Sequence, residues 1–190
     1  MFSAGLDGRV VRYDITKDAA IGNSQQKVSS RHSIYSLDVM KKSLLICFGT
    51  SYNDVNINDL RIKGEQIIKL KEHTDLVRSV KLIDDGKACI SAGSDGLLKL
   101  WDIGMRQCIK SYNYHTDAIW CFKFWKAKST VFTGGRDGLV LMTDLIKDVE
   151  HKIVKESVPV KSIAIDKRSC SLWYNTTESV KYLVYEIIRI

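Results

Sequence analysis

Helix-start signals and helical periodicity are nearly absent from this sequence of 190 residues. That absence excludes helical and mixed α/β architectures and leaves an all-β chain. No apolar run approaches the roughly 18 residues a membrane-spanning helix needs, and Met1 is followed by no basic-then-apolar leader. The five cysteines, Cys47, Cys89, Cys108, Cys121 and Cys170, include no C-x-x-C pair. Zinc-ribbon and dithiol redox chemistry are thereby set aside, and an odd number of thiols at strand positions implies a reducing compartment. Paired carboxylates, a phosphate-cradling glycine loop and a metal-ligand cluster are likewise missing, so no enzyme class, cofactor or metal is implied.

What is present is a repeat. His73 to Asp102, HTDLVRSVKLIDDGKACISAGSDGLLKLWD, holds a loop histidine, an apolar strand, a turn at Asp84-Asp85-Gly86, and a second strand from Ala88 to Ala92. A second turn at Ser94-Asp95-Gly96 leads to a third strand ending on Trp101-Asp102. Asp-Gly between apolar runs predicts type I′ hairpins with positive φ at both central residues. The unit returns as His115 to Asp144 and, in half, as Ser3 to Asp14. Its closing acids Asp14, Asp59, Asp102, Asp144 and Glu186 lie 45, 43, 42 and 42 residues apart. Ile34, Val77, Ile119 and Val160 independently begin the same first-strand pattern. Four short strands per unit of about 40 to 45 residues mark blades of a WD40 β-propeller.

The expected division is a partial blade at residues 1–30, full blades at 33–70, 76–112 and 118–156, and a partial blade at 158–190. A propeller closes into a ring of about four to eight blades, so the expectation is part of a longer propeller. Residues 17–30, rich in Asn, Ser, Gln and Lys, read as a loop insertion, and the turn register near Tyr52 to Asp59 stays open.

His73, Ser91, Asp95 and Trp101 recur where one blade forms an internal hydrogen-bonded set. A degraded copy stands at His115, Thr133 and Asp137, with Thr143 in the tryptophan's place. A hydrolase triad needs no copy per blade, so these residues read as scaffolding. Histidines recurring at one loop position also argue against a metal site. Positions the repeat does not fix are the candidates for function. Tyr35, Arg78, Trp120 and Lys161 each follow the first apolar residue of an inner strand, and Leu6, Ser94 and Arg136 each precede a turn aspartate. Tyr, Trp and Arg are the types enriched at binding hot spots. The competing reading packs Trp120 between blades and pairs Arg78 and Arg136 with Asp75 or Asp117. The formal charge of +7 is dispersed, with Lys123, Lys126 and Lys128 its densest group. A solvated edge explains these lysines better than nucleic-acid binding does.

Several runs also resemble the WD-repeat 48 family in order and spacing. They include Ser3-Ala4-Gly5-Leu6-Asp7, His32-Ser33-Ile34-Tyr35-Ser36-Leu37, Leu70-Lys71-Glu72-His73-Thr74-Asp75 and Arg106-Gln107-Cys108-Ile109. Gly134-Gly135-Arg136-Asp137, Thr143-Asp144-Leu145 and Leu172-Trp173 with Thr176-Thr177 continue the match. The resemblance implies a non-catalytic protein of nucleus and cytoplasm that binds and activates a ubiquitin-specific protease, with ubiquitin-pathway substrates and DNA-repair regulation nearby. Neither a nucleic-acid nor a membrane partner is expected, given the dispersed charge and the short apolar runs. Carried over position by position, the protease contacts would be Arg78, where the family has lysine, Trp120 and Arg136. The family's early blades and C-terminal ubiquitin-like domains have no counterpart in these residues. A generic adaptor platform in a ubiquitin ligase or trafficking complex is the alternative.

Overall fold

The computed structural model describes residues 1–13, 24–62, 67–166 and 171–184. They form two compact units, residues 1–93 with 98–112, and residues 94–97 with 113–190. In the first unit, β1 (Phe2–Ala4), β2 (Arg9–Tyr13) and β3 (Ser24–Ser29) make a three-stranded sheet. A four-stranded sheet follows from β4 (Ile34–Met40), β5 (Leu45–Thr50), β6 (Asp54–Asp59) and β7 (Ile67–Lys71). Another joins β8 (Val77–Ile83), β9 (Ala88–Gly93), β10 (Leu98–Asp102) and β11 (Gln107–Tyr112). The second unit holds a four-stranded sheet of β12 (Ile119–Trp125), β13 (Thr130–Gly135), β14 (Leu139–Asp144) and β15 (Val149–Lys155). It ends in a three-stranded sheet of β16 (Val160–Asp166), β17 (Ser171–Thr176) and β18 (Val180–Val184). Every pairing is antiparallel between sequence neighbours, which is the meander of a WD40 blade.

In the first unit the β4–β7 sheet is covered on both faces. In β5, Ile46 and Phe48 pack with Val10 and Ile34, while Cys47 between them packs with Val77, Leu82 and Trp101. A strand buried on both sides needs no polar alternation, which is why Leu45-Ile46-Cys47-Phe48 reads as one apolar run.

Three details differ from expectation. Ser24–Ser29, expected within a loop insertion, is a strand paired to β2. An outer strand is held by one backbone ladder alone, so a polar sequence such as Ser-Gln-Gln-Lys can supply it. Residues 17–23 of that expected loop, and Asp14, Cys170 and Glu186, lie outside the described residues. The turns after the second strands are not type I′. Left-handed φ falls on the glycine only, at 73° for Gly8, 77° for Gly96 and 77° for Gly138. The preceding aspartate keeps negative φ and accepts a backbone N–H two residues on, from Leu97 to Asp95 and from Leu139 to Asp137 at 3.1 Å. At Asp84 and Asp85 both φ values are positive, 48° and 50°, but the connection is a 3-10 turn closed by the Lys87 N–H on the Asp84 carbonyl at 3.1 Å.

The open register near Tyr52 is also resolved. Gly49 pairs with Val55 as Gly134 pairs with Val140, which puts Asn53, at φ 62°, in the glycine's place and Tyr52 in the aspartate's.

Gly138 is constrained twice, by its φ and by space. A Cβ there would sit 2.2 Å from the Glu156 carbonyl oxygen. Gly138→Ala is expected to destabilise the second unit by roughly 2 kcal/mol or more, since left-handed φ alone costs an L-residue about 1–2 kcal/mol. Gly104→Ala, whose nearest neighbour is the Asp102 carboxylate at 3.4 Å, is expected to be nearly neutral. Urea denaturation of the two variants side by side checks the pair.

Candidate functional site

The polar residues of the repeat form closed hydrogen-bonded sets. Trp101 Nε1–H donates to Ser91 Oγ at 2.7 Å, and Ser91 Oγ lies 2.7 Å from His73 Nε2. Ser91 is fully buried, with His73 and Trp101 6% and 1% exposed. In the next copy His115 Nδ1 lies 3.0 Å from both Asp137 oxygens, and His115 Nε2 lies 2.8 Å from Thr133 Oγ1. An ionised carboxylate only accepts, so the neutral ring carries its proton on Nδ1 and Nε2 accepts from the Thr133 hydroxyl. Asp137 also accepts the Thr116 N–H at 3.0 Å, fixing loop to turn. In both sets the imidazole and the hydroxyl are engaged with each other, as a structural role requires.

Burial pushes the His115 imidazole below the ordinary histidine value, outweighing the opposite pull of Asp137. At pH above about 6.5 the ring is neutral in folded and unfolded chains alike, and the set contributes its full stability. As pH falls through about 6.5 the unfolded chain takes up a proton that the buried ring resists, and stability is lost until the folded value is passed. The denaturation midpoint is therefore expected to drop as pH falls below about 6.5. A measurement on His115→Gln, which removes the titrating group, should show a shallower drop.

The first two blades depart from the set. Ser3 Oγ donates to the Tyr13 hydroxyl at 3.5 Å, with Tyr13 at the tryptophan's register position. In the second blade His32 stacks on Tyr52, ring centroids 4.4 Å apart and 7° from parallel. Beneath them buried Asp54 accepts from Thr50 Oγ1 and from Asn56 Nδ2, the latter at 2.9 Å. A cavity of about 230 Å³ opens beside Asp54, Asn56 and His32. This cluster was missed from sequence because its His32, Thr50 and Asp54 stand off the register positions that carry the repeat's polar set.

The positions free to vary share a geometric property. In β4 the pairing steps from Ile34 to Ser36, in β8 from Val77 to Ser79, in β12 from Ile119 to Cys121, and in β16 from Val160 to Ser162. The residues passed over are Tyr35, Arg78, Trp120 and Lys161. Each is the extra residue of a β-bulge, a device that re-aims a side chain away from the ladder. In the first unit Tyr35 is 45% exposed and Arg78 is half-buried. In the second, Trp120 is half-buried and Lys161 exposed, and Arg136 Nε lies 3.6 Å from Asp117 Oδ2. That pairing of Arg136 with Asp117 was the competing reading, yet the arginine side chain remains 62% exposed. Surface pairs of this kind contribute about 0–1 kcal/mol, so Arg136 can exchange Asp117 for another carboxylate at little cost. Leu6, at the position before the first turn aspartate, is 68% exposed.

Among the described residues no group of three His, Cys, Asp or Glu is placed to hold a metal ion. Cys47, Cys89, Cys108 and Cys121 are free thiols, and burial pushes Cys121 up to about 12, which keeps it protonated and inert.

Comparison with known proteins agrees with the repeat. The family described as "WD domain, G-beta repeat" matches residues 64–102 and 106–144. Over 77 residues, 40% of the chain, the sequence is 35% identical to Methylosome protein WDR77 of Xenopus laevis, covering 23% of that protein. Over 140 residues, 74% of the chain, it is 24% identical to DENN domain and WD repeat-containing protein SCD1 of Arabidopsis thaliana, covering 11% of it. The chain thus spans less than a quarter of either relative's length.

Proposed function

We propose that this chain, a carrier of WD repeats of the protein-binding scaffold type, docks a ubiquitin-specific protease and activates it allosterically through Arg78, Trp120 and Arg136, with Tyr35 and Lys161 contributing. The observation that carries the reading is the bulge. Four inner strands each carry one bulged residue at the same register position, and three of these four residues are Tyr, Arg and Trp. The bulge recurs in all four strands while the re-aimed residue differs in each, as a recognition position would. The residue-by-residue resemblance to the WD-repeat 48 family supplies the partner class. Arg78 in place of that family's lysine keeps the charge and offers a two-pronged fork to a facing carboxylate. Activation through this surface is allosteric, since the recurring His73–Ser91 and His115–Thr133 side chains bond one another within their blades. The free thiols fit work in nucleus and cytoplasm.

The test is to titrate the protein into ubiquitin-specific proteases and follow hydrolysis of a ubiquitin substrate. A rise in turnover that saturates supports the reading, and unchanged turnover with every protease tried rejects it. The adaptor reading is favoured instead if affinity capture returns ubiquitin-ligase or coat subunits and no protease.

A further inference from the structure

The lysines around the turn between β12 and β13 take no part in the bulged positions. Lys126 and Lys128 stand in the 3-10 turn Lys126–Lys128, and Lys128 lines a pocket of about 340 Å³ that lies wholly within the second unit. The pocket's floor is apolar. Trp125, Phe132 and Met142 form it, with the two rings 6.5 Å apart and tilted by 31°. Ile146, 78% exposed, stands at its edge. The ionisable side chains around it are Lys128, Lys147, His151 and one acid, Asp144. Asp144 Oδ1 accepts the backbone N–H groups of Ile146 and Lys147 at 2.9 Å each, and those bonds hold its carboxyl below the usual carboxylate range. The acid is thus committed to its own turn, and the rim is otherwise basic.

The pocket has a reason to exist. In the first unit the matching face of the β4–β7 sheet is sealed by Trp101 and Ile103 of the following blade, packed with Cys47 and Ile57. Facing β12–β15, Leu183 holds that tryptophan's register position, since Leu183 pairs with Leu172 as Trp101 pairs with Cys89. Leu183 packs at the edge of the core formed by Trp125, Phe132 and Leu172. A leucine fills less of the space than an indole, so the pocket stays open among the described residues.

We propose that this pocket docks an acidic peptide segment of a partner protein through one large apolar side chain, seated on Trp125, Phe132 and Met142, with flanking carboxylates facing Lys128, Lys147 and His151. The volume falls in the range of about 300–1,000 Å³ typical of ligand sites, and an apolar floor within a basic rim selects for both chemistries at once. A nucleic acid would use the lysines and leave the floor empty. The site differs in chemistry and place from the bulged positions, so it can fail while the protease reading stands.

The experiment is fluorescence anisotropy of a labelled synthetic peptide, one phenylalanine between glutamates, titrated with the full chain. Saturable binding is expected, weakened by at least about tenfold when the peptide's phenylalanine becomes alanine or when the protein carries Lys147→Glu, a rim attraction turned to repulsion. Ile146→Ala should weaken binding in the same direction. Ile146 and Lys147 are exposed, so thermal midpoints should stay unchanged and the losses read on docking. Activation of a protease by the same variants should be unaltered. The proposal is overturned by absence of saturable binding, by equal affinity for the alanine peptide, or by duplex DNA competing as well as the peptide does.

Discussion

Trp101→Ala is expected to cost the first unit about 3–5 kcal/mol, the range for deleting a buried large aromatic side chain, which approaches the whole stability of a typical domain. Three losses coincide at this residue. The indole is 1% exposed within the cluster of Cys47, Val55, Ile57, Leu82 and Cys89, so alanine leaves a cavity between two blades. Its N–H is a donor to Ser91 Oγ, and Ser91 and His73 lose the third member of a buried set. Its ring also lies 5.8 Å from the ammonium of Lys99, a cation only 5% exposed whose other partner is Glu72 at 3.5 Å. Trp101→Phe separates the terms, since it keeps most of the volume and removes the donor. It should cost about 1–3 kcal/mol, the penalty for stranding a buried polar group. Thr143→Ala at the equivalent position of the next blade removes only a small side chain, and about 1 kcal/mol is expected there. Guanidinium denaturation followed by far-ultraviolet circular dichroism measures all three. A Trp101→Ala loss no larger than that of Thr143→Ala would show that the indole is not the keystone its contacts suggest.

The contrast between Trp101 and Thr143 shows what was legible in the sequence. Wherever a residue's role depends on its own blade, the pattern carried it. The Asp-Gly turns, the His–Ser–Trp set and the apolar inner strands all repeat with one period, although the turns are not the type I′ hairpins expected. Roles that depend on a partner strand or a neighbouring blade were harder to see. Ser24–Ser29 is a strand because β2 offers it a ladder, and its own composition reads as loop. Asn53 and Tyr52 replace glycine and aspartate in a turn whose register only pairing with β5 reveals. The bulges were half legible. Tyr35, Arg78, Trp120 and Lys161 stood out as the residues that vary within a fixed repeat, but that the ladder skips them is a property of two strands. The pocket beside Trp125 was hidden for the same reason, because it depends on Leu183 some sixty residues later standing where a tryptophan stands elsewhere.

Trp120→Ala combined with Arg136→Ala is expected to abolish protease activation while leaving the fold intact. The two side chains belong to one unit, at the bulge of β12 and at the residue before the turn aspartate. Trp120 is half-buried and Arg136 exposed, and the Arg136 pairing with Asp117 is a surface contact at 3.6 Å. Removing them should therefore shift the thermal midpoint little, in contrast to Trp101→Ala. Hot-spot aromatics and arginines each contribute about 2 kcal/mol or more to an interface, so loss of the pair should weaken docking by well over about thirtyfold. Two single variants sharpen the assignment. Arg136→Lys keeps the charge and loses the planar fork, so an intermediate loss is expected if a carboxylate is held by two bonds. Lys161→Ala, at an exposed bulge with a single point charge, should matter less and mainly at low salt. The measurement is the concentration of each variant needed for half-maximal protease turnover, read beside its melting curve. Full activation by the double variant would move the docking surface away from these bulges and leave the adaptor reading in possession of the chain.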